Sequence, residues 1–255
     1  MFKKLLASAG IGSAEVDTII TNESLQAGED LHGKVVIKGG RTEQQIDRIN
    51  LFVMTEALRE RGDDEKYYEN VILHRHVIED SFTIHEEEGM ELPFSFSLPV
   101  KTPPTINRTR VWVQTGLDIP QAIDPEDRDY LDVSPHQGMS NVLDAITHEM
   151  QFELRKVNME FSKRYGYLQE FEFRPVTEFR GDLDELEVVF TTVSENGVEL
   201  VIEVDRAAKG LGGLFAEALD IDESKVRVPF TKQDLEQGTG FIAERLRNII
   251  TQYSS

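Results

Sequence analysis

His74 and His76 flank Arg75 in the run YYENVILHRHVI. Residues two apart on a strand share a face, so the spacing sets two imidazoles side by side. With His85 and the acidic run Glu86–Glu88 downstream, two nitrogens and a carboxylate would suit a metal such as zinc and a metal-dependent hydrolysis. The competing reading is two ordinary strand histidines beside a solvated turn. A second oxygen-rich segment, Asp124-Pro125-Glu126-Asp127-Arg128-Asp129, lacks the glycine and closing glutamate of an EF-hand loop. An exposed acidic loop, or an internal Arg–Asp pairing, is the expectation there.

Two glycine-bearing segments have the outline of nucleotide loops and fail in detail. Gly28-Glu29-Asp30-Leu31-His32-Gly33-Lys34 matches the first seven positions of a phosphate-binding loop, but Val35 stands where a Ser or Thr must hold magnesium. A strand-like Val35-Val36-Ile37 follows where a helix N-terminus should receive the phosphates. Lys209-Gly210-Leu211-Gly212-Gly213-Leu214-Phe215 has the wrong glycine spacing for a dinucleotide loop, since Phe215 occupies the third position after Gly212. Both read as structural corners. No G-x-S-x-G or H-E-x-x-H pattern occurs, and the six histidines are scattered. No catalytic residue, cofactor-binding residue, cofactor or metal ligand is therefore assigned, and no enzymatic activity is expected.

Composition narrows the partners. The 255 residues include 27 Lys+Arg against 47 Asp+Glu, a formal net charge of -20. The acidity is spread out: residues 1–134 carry 14 basic and 25 acidic side chains, and the remainder 13 and 22. Such a surface repels phosphate, which argues against nucleic acid and anionic lipid as ligands and leaves a basic protein face acceptable. The chain has no cysteine, which excludes disulfides and thiolate chemistry and fits a reducing compartment. No apolar run approaches the ~18 residues of a membrane span. The opening MFKKLLASAGIGSA is too short and glycine-broken for a signal peptide and reads as a short amphipathic helix with Phe2, Leu5, Leu6 and Ala9 on one side. A cytoplasmic protein is expected, with that segment as the only conceivable peripheral membrane anchor.

These residues must be positioned by strands. From AEVDTIIT through HGKVVIKG, IDRINLFVMTEAL, YYENVILHRHVI, SFTIH, MELPFSFSLP and TRVWVQTGLDIP, the runs are β-branched and aromatic and separated by turn clusters. Strands without intervening helices predict an antiparallel sandwich over residues 1–134. The segment 135–149 changes character: Pro135 and Gly138 precede Val142, Ile146 and Met150 at helical spacing behind Ser140 as a cap, so a helical linker is predicted. Residues 150–255 resume the β pattern, with Glu195-Asn196-Gly197 as a hairpin turn. They close on an amphipathic helix in which Ile242, Leu246, Ile249, Ile250 and Tyr253 form one stripe. That stripe is the candidate protein-interaction face; packing on its own domain is the alternative. The fold class expected is mostly β, two sandwiches in tandem with short helices at the N-terminus, the junction and the C-terminus.

The order of Gly28 with Leu31–Val35, Ile46–Leu51 and Leu92-Pro93-Phe94-Ser95-Phe96-Ser97-Leu98-Pro99, followed by Pro103-Pro104, resembles the N-terminal arrestin-type sandwich. Arg110–Ile119, Ala122–Tyr130, Leu168–Phe173, Leu183–Val188 and Asp205–Ala218, together with the opening FKKLLASAGIG, are similar to the bacterial sporulation-control protein family over nearly the whole chain. The resemblance implies two arrestin-like domains in a cytoplasmic, non-enzymatic scaffold or adaptor. Its partners would be other proteins, signalling or cell-division components among them, with a homodimer or higher oligomer as a further expectation. Arrestins keep a buried Asp/Arg switch; Asp118, Asp127 and Arg128 are its nearest counterparts here, without an assigned register.

Overall fold

The computed structural model describes residues 14–61, 65–118, 126–206 and 225–254. The predicted N-terminal helix, Asp124-Pro125 and the glycine-rich corner at 209–215 lie outside them. The described chain is mostly β with few helices. It divides into two compact units. The first comprises residues up to Thr55, Asn70–Thr102 and Arg110–Ser134; the second comprises Glu56–Glu69, Pro103–Thr109 and the chain from Pro135 onward.

In the first unit, β1 (Glu15–Ile20), β3 (Asp30–Lys38) and β6 (Gly89–Ser97) form one antiparallel sheet in the order β1-β3-β6. A second sheet has β5 (Glu65–Ile84), β4 (Gln44–Arg61), β7 (Val111–Asp118), β8 (Glu126–Ser134) and the short β2 (Ser24–Gln26), in that order. Alternation turns one face of each sheet inward: Val35, Ile37, Phe94 and Phe96 from the first, Ile49, Leu51, Val53, Val111 and Val113 from the second, all in one buried cluster. Thr18 of β1 and Thr115 of β7 satisfy each other inside it, their hydroxyls 2.6 Å apart. The phosphate-loop look-alike is the turn predicted from its residues. Gly28 adopts φ 101° at the corner entering β3, and Gly33 pairs with Ile20 and Phe94 on either side. A Cβ on Gly33 would lie 2.5 Å from the Ile19 carbonyl and 2.6 Å from Phe94 Cζ.

The second unit has one antiparallel sheet in the order β13-β12-β11-β10-β9: β9 (Phe152–Ser162), β10 (Gly166–Pro175), β11 (Leu183–Ser194), β12 (Gly197–Arg206) and β13 (Lys225–Thr231). The hairpin at Glu195-Asn196 closes with Ser194 opposite Gly197, as its residues predict. Helix α1 (Gln137–Asp144) continues into a π-helical turn, Ala145–Glu149; α2 (Lys232–Glu236) and α3 (Thr239–Ser254) follow β13. The helices bury Met139, Val142, Ile146, Ile242, Leu246 and Ile250 against Phe171, Phe173, Val188, Leu200, Ile202 and Phe230 of the sheet. The expected second sandwich is therefore, among the described residues, one sheet closed by helices, because their apolar stripes occupy the face that a second sheet would cover.

Residues 135–149, predicted as a helical linker, are helical and contribute Met139, Val142, Leu143 and Ile146 to this core. Their cap is His136, whose Nδ1 accepts from the Gly138 amide at 3.3 Å, and not Ser140. Two pieces of the N-terminal half also join the second unit. Gln169 Nε2 donates to the Pro104 carbonyl and to Thr109 Oγ1, both at 3.0 Å, and Ile106 packs on the core. Leu58 pairs in parallel with Glu160.

Candidate functional site

The stripe Ile242, Leu246, Ile249, Ile250 and Tyr253, the candidate interaction face, packs on its own unit. Ile242, Leu246 and Ile250 are fully buried, and Ile249 and Tyr253 pack against the same cluster. The opposite side of α3 is tied down as well: Arg247 donates from Nε to Glu178 at 2.7 Å and from Nη2 to the Glu149 carbonyl at 2.6 Å. A helix at the chain end that carries a wide apolar stripe stabilises its own sheet by burial.

His74 and His76 share a face of β5, as their spacing predicts, and both rings lie on Phe96 of β6, with centroids 5.6 and 4.6 Å away. Burial, and after it the neighbouring His74, push the His76 pKa below its ordinary value. His85 turns instead to Glu43, 3.0 Å away, and Glu88 accepts from the His85 amide. Among the described residues, no three His, Asp or Glu side chains converge as a metal site. The two imidazoles cap an aromatic core residue.

Glu126–Asp129 are the first residues of β8, paired with Thr115 and its neighbours on β7, and not a loop. Arg128 lies over the Trp112 ring, 5.9 Å from its centroid. The side chains of Asp118 and Asp127 lie outside the description, so the arrestin-type Asp/Arg correspondence stays unassigned.

A cluster with no sequence signal lies in the second unit. Arg59 Nη1 donates to Glu69 Oε1 at 2.9 Å, and the Tyr167 hydroxyl donates to the same oxygen. The Arg59 guanidinium also covers Phe161 at 4.5 Å, and Phe161 contacts the Tyr167 ring. The two donors hold the Glu69 carboxylate below its ordinary pKa, the Tyr167 bond contributing most. These four residues tie the second-unit parts of β4 and β5 to β9 and β10.

The feature best suited to recognition is β5 itself. It pairs with β4 and with no other strand among the described residues, so its other edge carries no strand partner there. The same strand carries large exposed apolar side chains: Ile72 at 58% and Val77 at 43% exposure in its first-unit part, Tyr67 and Tyr68 in its second-unit part. An open edge flanked by apolar side chains can accept an extended segment as an added strand.

No helix among the described residues is long and apolar enough to cross a membrane. A family model described as SpoOM protein matches residues 2–208. The chain is 40% identical over 258 residues to the sporulation-control protein spo0M of Bacillus subtilis strain 168, covering 99% of this chain and 98% of that protein. The crystal structure of Spo0M from Bacillus subtilis superposes with a TM-score of 0.85 at 38% identity, covering 95% of this chain and all of the other. On this family match and near-complete likeness, the chain belongs to the SpoOM family of sporulation-control proteins.

Proposed function

We propose that the protein is a non-catalytic, arrestin-like adaptor that acts in the cytoplasm in sporulation control, with links to cell division, by binding other proteins. The observation that carries the reading is the open edge of β5 with Ile72 and Val77 beside it. Strand addition supplies affinity through main-chain hydrogen bonds and specificity through alternate side chains. The two facing sheets of the first unit support the arrestin-like part of the reading. The acidic surface, with a net charge of -20, favours partners with a basic docking segment, whose binding weakens as salt screens it.

The test is affinity capture from native lysate with the wild-type chain and with an Ile72→Lys/Val77→Lys variant, both checked for equal melting temperature. Lysines on an edge strand oppose strand addition. Loss of a specific partner set from the variant supports the reading. Retention of the whole set by the variant would remove β5 as the docking edge.

A further inference from the structure

The sheet of the second unit has a second, outward face, and its charges are arranged in register across the strands. One row runs Lys156–Glu172–Glu187–Glu203–Lys225 from β9 to β13, each residue opposite the next. Two basic ends thus bracket three adjacent carboxylates. Lys156 lies 3.6 Å from Glu172, and Lys225 lies 3.9 Å from Glu203. The neighbouring row places Glu170 between Asn158 and Val189. Glu160 of β9 and Glu187 of β11 stand diagonally from it, and Glu185 faces Asp205 one step further along. On β12 and β13 the remaining charges of this face are Glu199 and Arg227, the latter bonded to Tyr165.

Neighbouring strands are about 4.8 Å apart, so these carboxylates repel at close range, and part of the face is shielded from bulk water while Lys156 and Arg227 are exposed. Glu170 and Glu187 are each 7% exposed, and Lys225 is 9% exposed. Leu168, Val189 and Val201 form an apolar cluster on the same face. Glu170 Oε1 is buried without a hydrogen-bond partner. A buried carboxylate that has apolar neighbours, nearby acids and an oxygen accepting no hydrogen bond favours its protonated form.

We propose that this outer face is a proton-linked latch, in which Glu170 holds a proton while β10 and β11 remain closed and releases it when they open to water. Burial, followed by repulsion from Glu187 and Glu160, pushes its pKa up to about 9, against the favourable pull of Lys156. Burial also raises the Glu185 pKa, helped by Glu172 and Asp205. The sign follows from linkage. In the open state Glu170 ionises near its ordinary 4.5. Between that value and about 9, each pH unit favours opening by about tenfold. Alkalinisation therefore loosens the second unit, and acidification closes it.

Hydrogen exchange of the intact protein at pH 6, 7 and 8, corrected for intrinsic rates, tests the latch. Protection of β10 and β11 peptides should fall about tenfold per pH unit in the wild type and stay level in Glu170→Gln, which keeps the shape and cannot ionise. A wild-type carboxyl titration by carbon NMR covers the case in which the variant fails to fold. It should show a glutamate titrating far above the usual range. Protection that is independent of pH in the wild type, an identical slope in the folded variant, or glutamate carboxyls that all titrate below pH 6 would each overturn the proposal.

Discussion

Leu246→Ala tests whether α3 is a layer of the core or a surface offered to others. Leu246 is fully buried in a cluster shared with Ile242 and Ile250 of the same helix and with the inner face of the sheet. Truncation removes its transfer free energy and leaves a cavity that the rigid sheet cannot close, a loss of about 3–5 kcal/mol. With a urea slope of about 2 kcal/mol/M, the unfolding midpoint drops by about 1.5–2.5 M. The assay is equilibrium unfolding in urea, read by exchange labelling of the β10–β13 peptides. Those peptides are the appropriate probe because the single tryptophan, Trp112, lies in the first unit. Glu244→Ala, on the exposed side of the same helix, is the control and should change stability by less than about 0.5 kcal/mol. A Leu246→Ala loss under about 1 kcal/mol would refute the packing argument and return the stripe to the role of a docking face.

Two further outcomes follow from the first unit. Gly33→Ala should destabilise by at least about 1–3 kcal/mol, measured by thermal melting, because the new methyl meets the Ile19 backbone and the Phe94 ring from opposite sides; an unchanged melting temperature would mean that β1 is not seated against β3 as described. Stability should also fall as the solution is acidified below about pH 6.5, the unfolded histidine value. The lowered His76 pKa means that the unfolded chain takes up the proton first. His76→Gln should flatten that limb of the tryptophan-monitored unfolding profile, and an unaltered profile would remove His76 as its source.

The period-two runs made the β character legible because burial on one face demands alternation, and the hairpin at Glu195-Asn196 and the helix at the C-terminus were equally readable from local pattern. What escaped was set by contacts remote in sequence. YYENVILHRHVI and SFTIH read as two strands, since Glu79-Asp80 interrupts the apolar pattern, yet backbone pairing carries β5 through both. Helix α2, five residues long, is too short for periodicity. Its signal was the Thr231/Asp234 capping box, with the Asp234 amide donating to Thr231 Oγ1 at 3.2 Å and Asp234 accepting in return. The run LQEFEFRP places Glu170 on the face away from the buried Phe171 and Phe173, and the burial of Glu170 depends on the whole sheet. For the same reason, an apolar stripe alone could not say whether Ile242 and Leu246 met their own core or a partner.

The claim that an open edge of β5 recruits other proteins is tested most directly by placing a photo-crosslinking residue at position 72 in the living cell, with position 244 as the control. Ile72 is 58% exposed on the edge strand, and Glu244 is exposed on α3. Light-dependent adducts with other proteins at position 72 and none at position 244 are the predicted result. Adducts at position 244 with none at position 72 would contradict the account and move recognition to the helical face of the second unit.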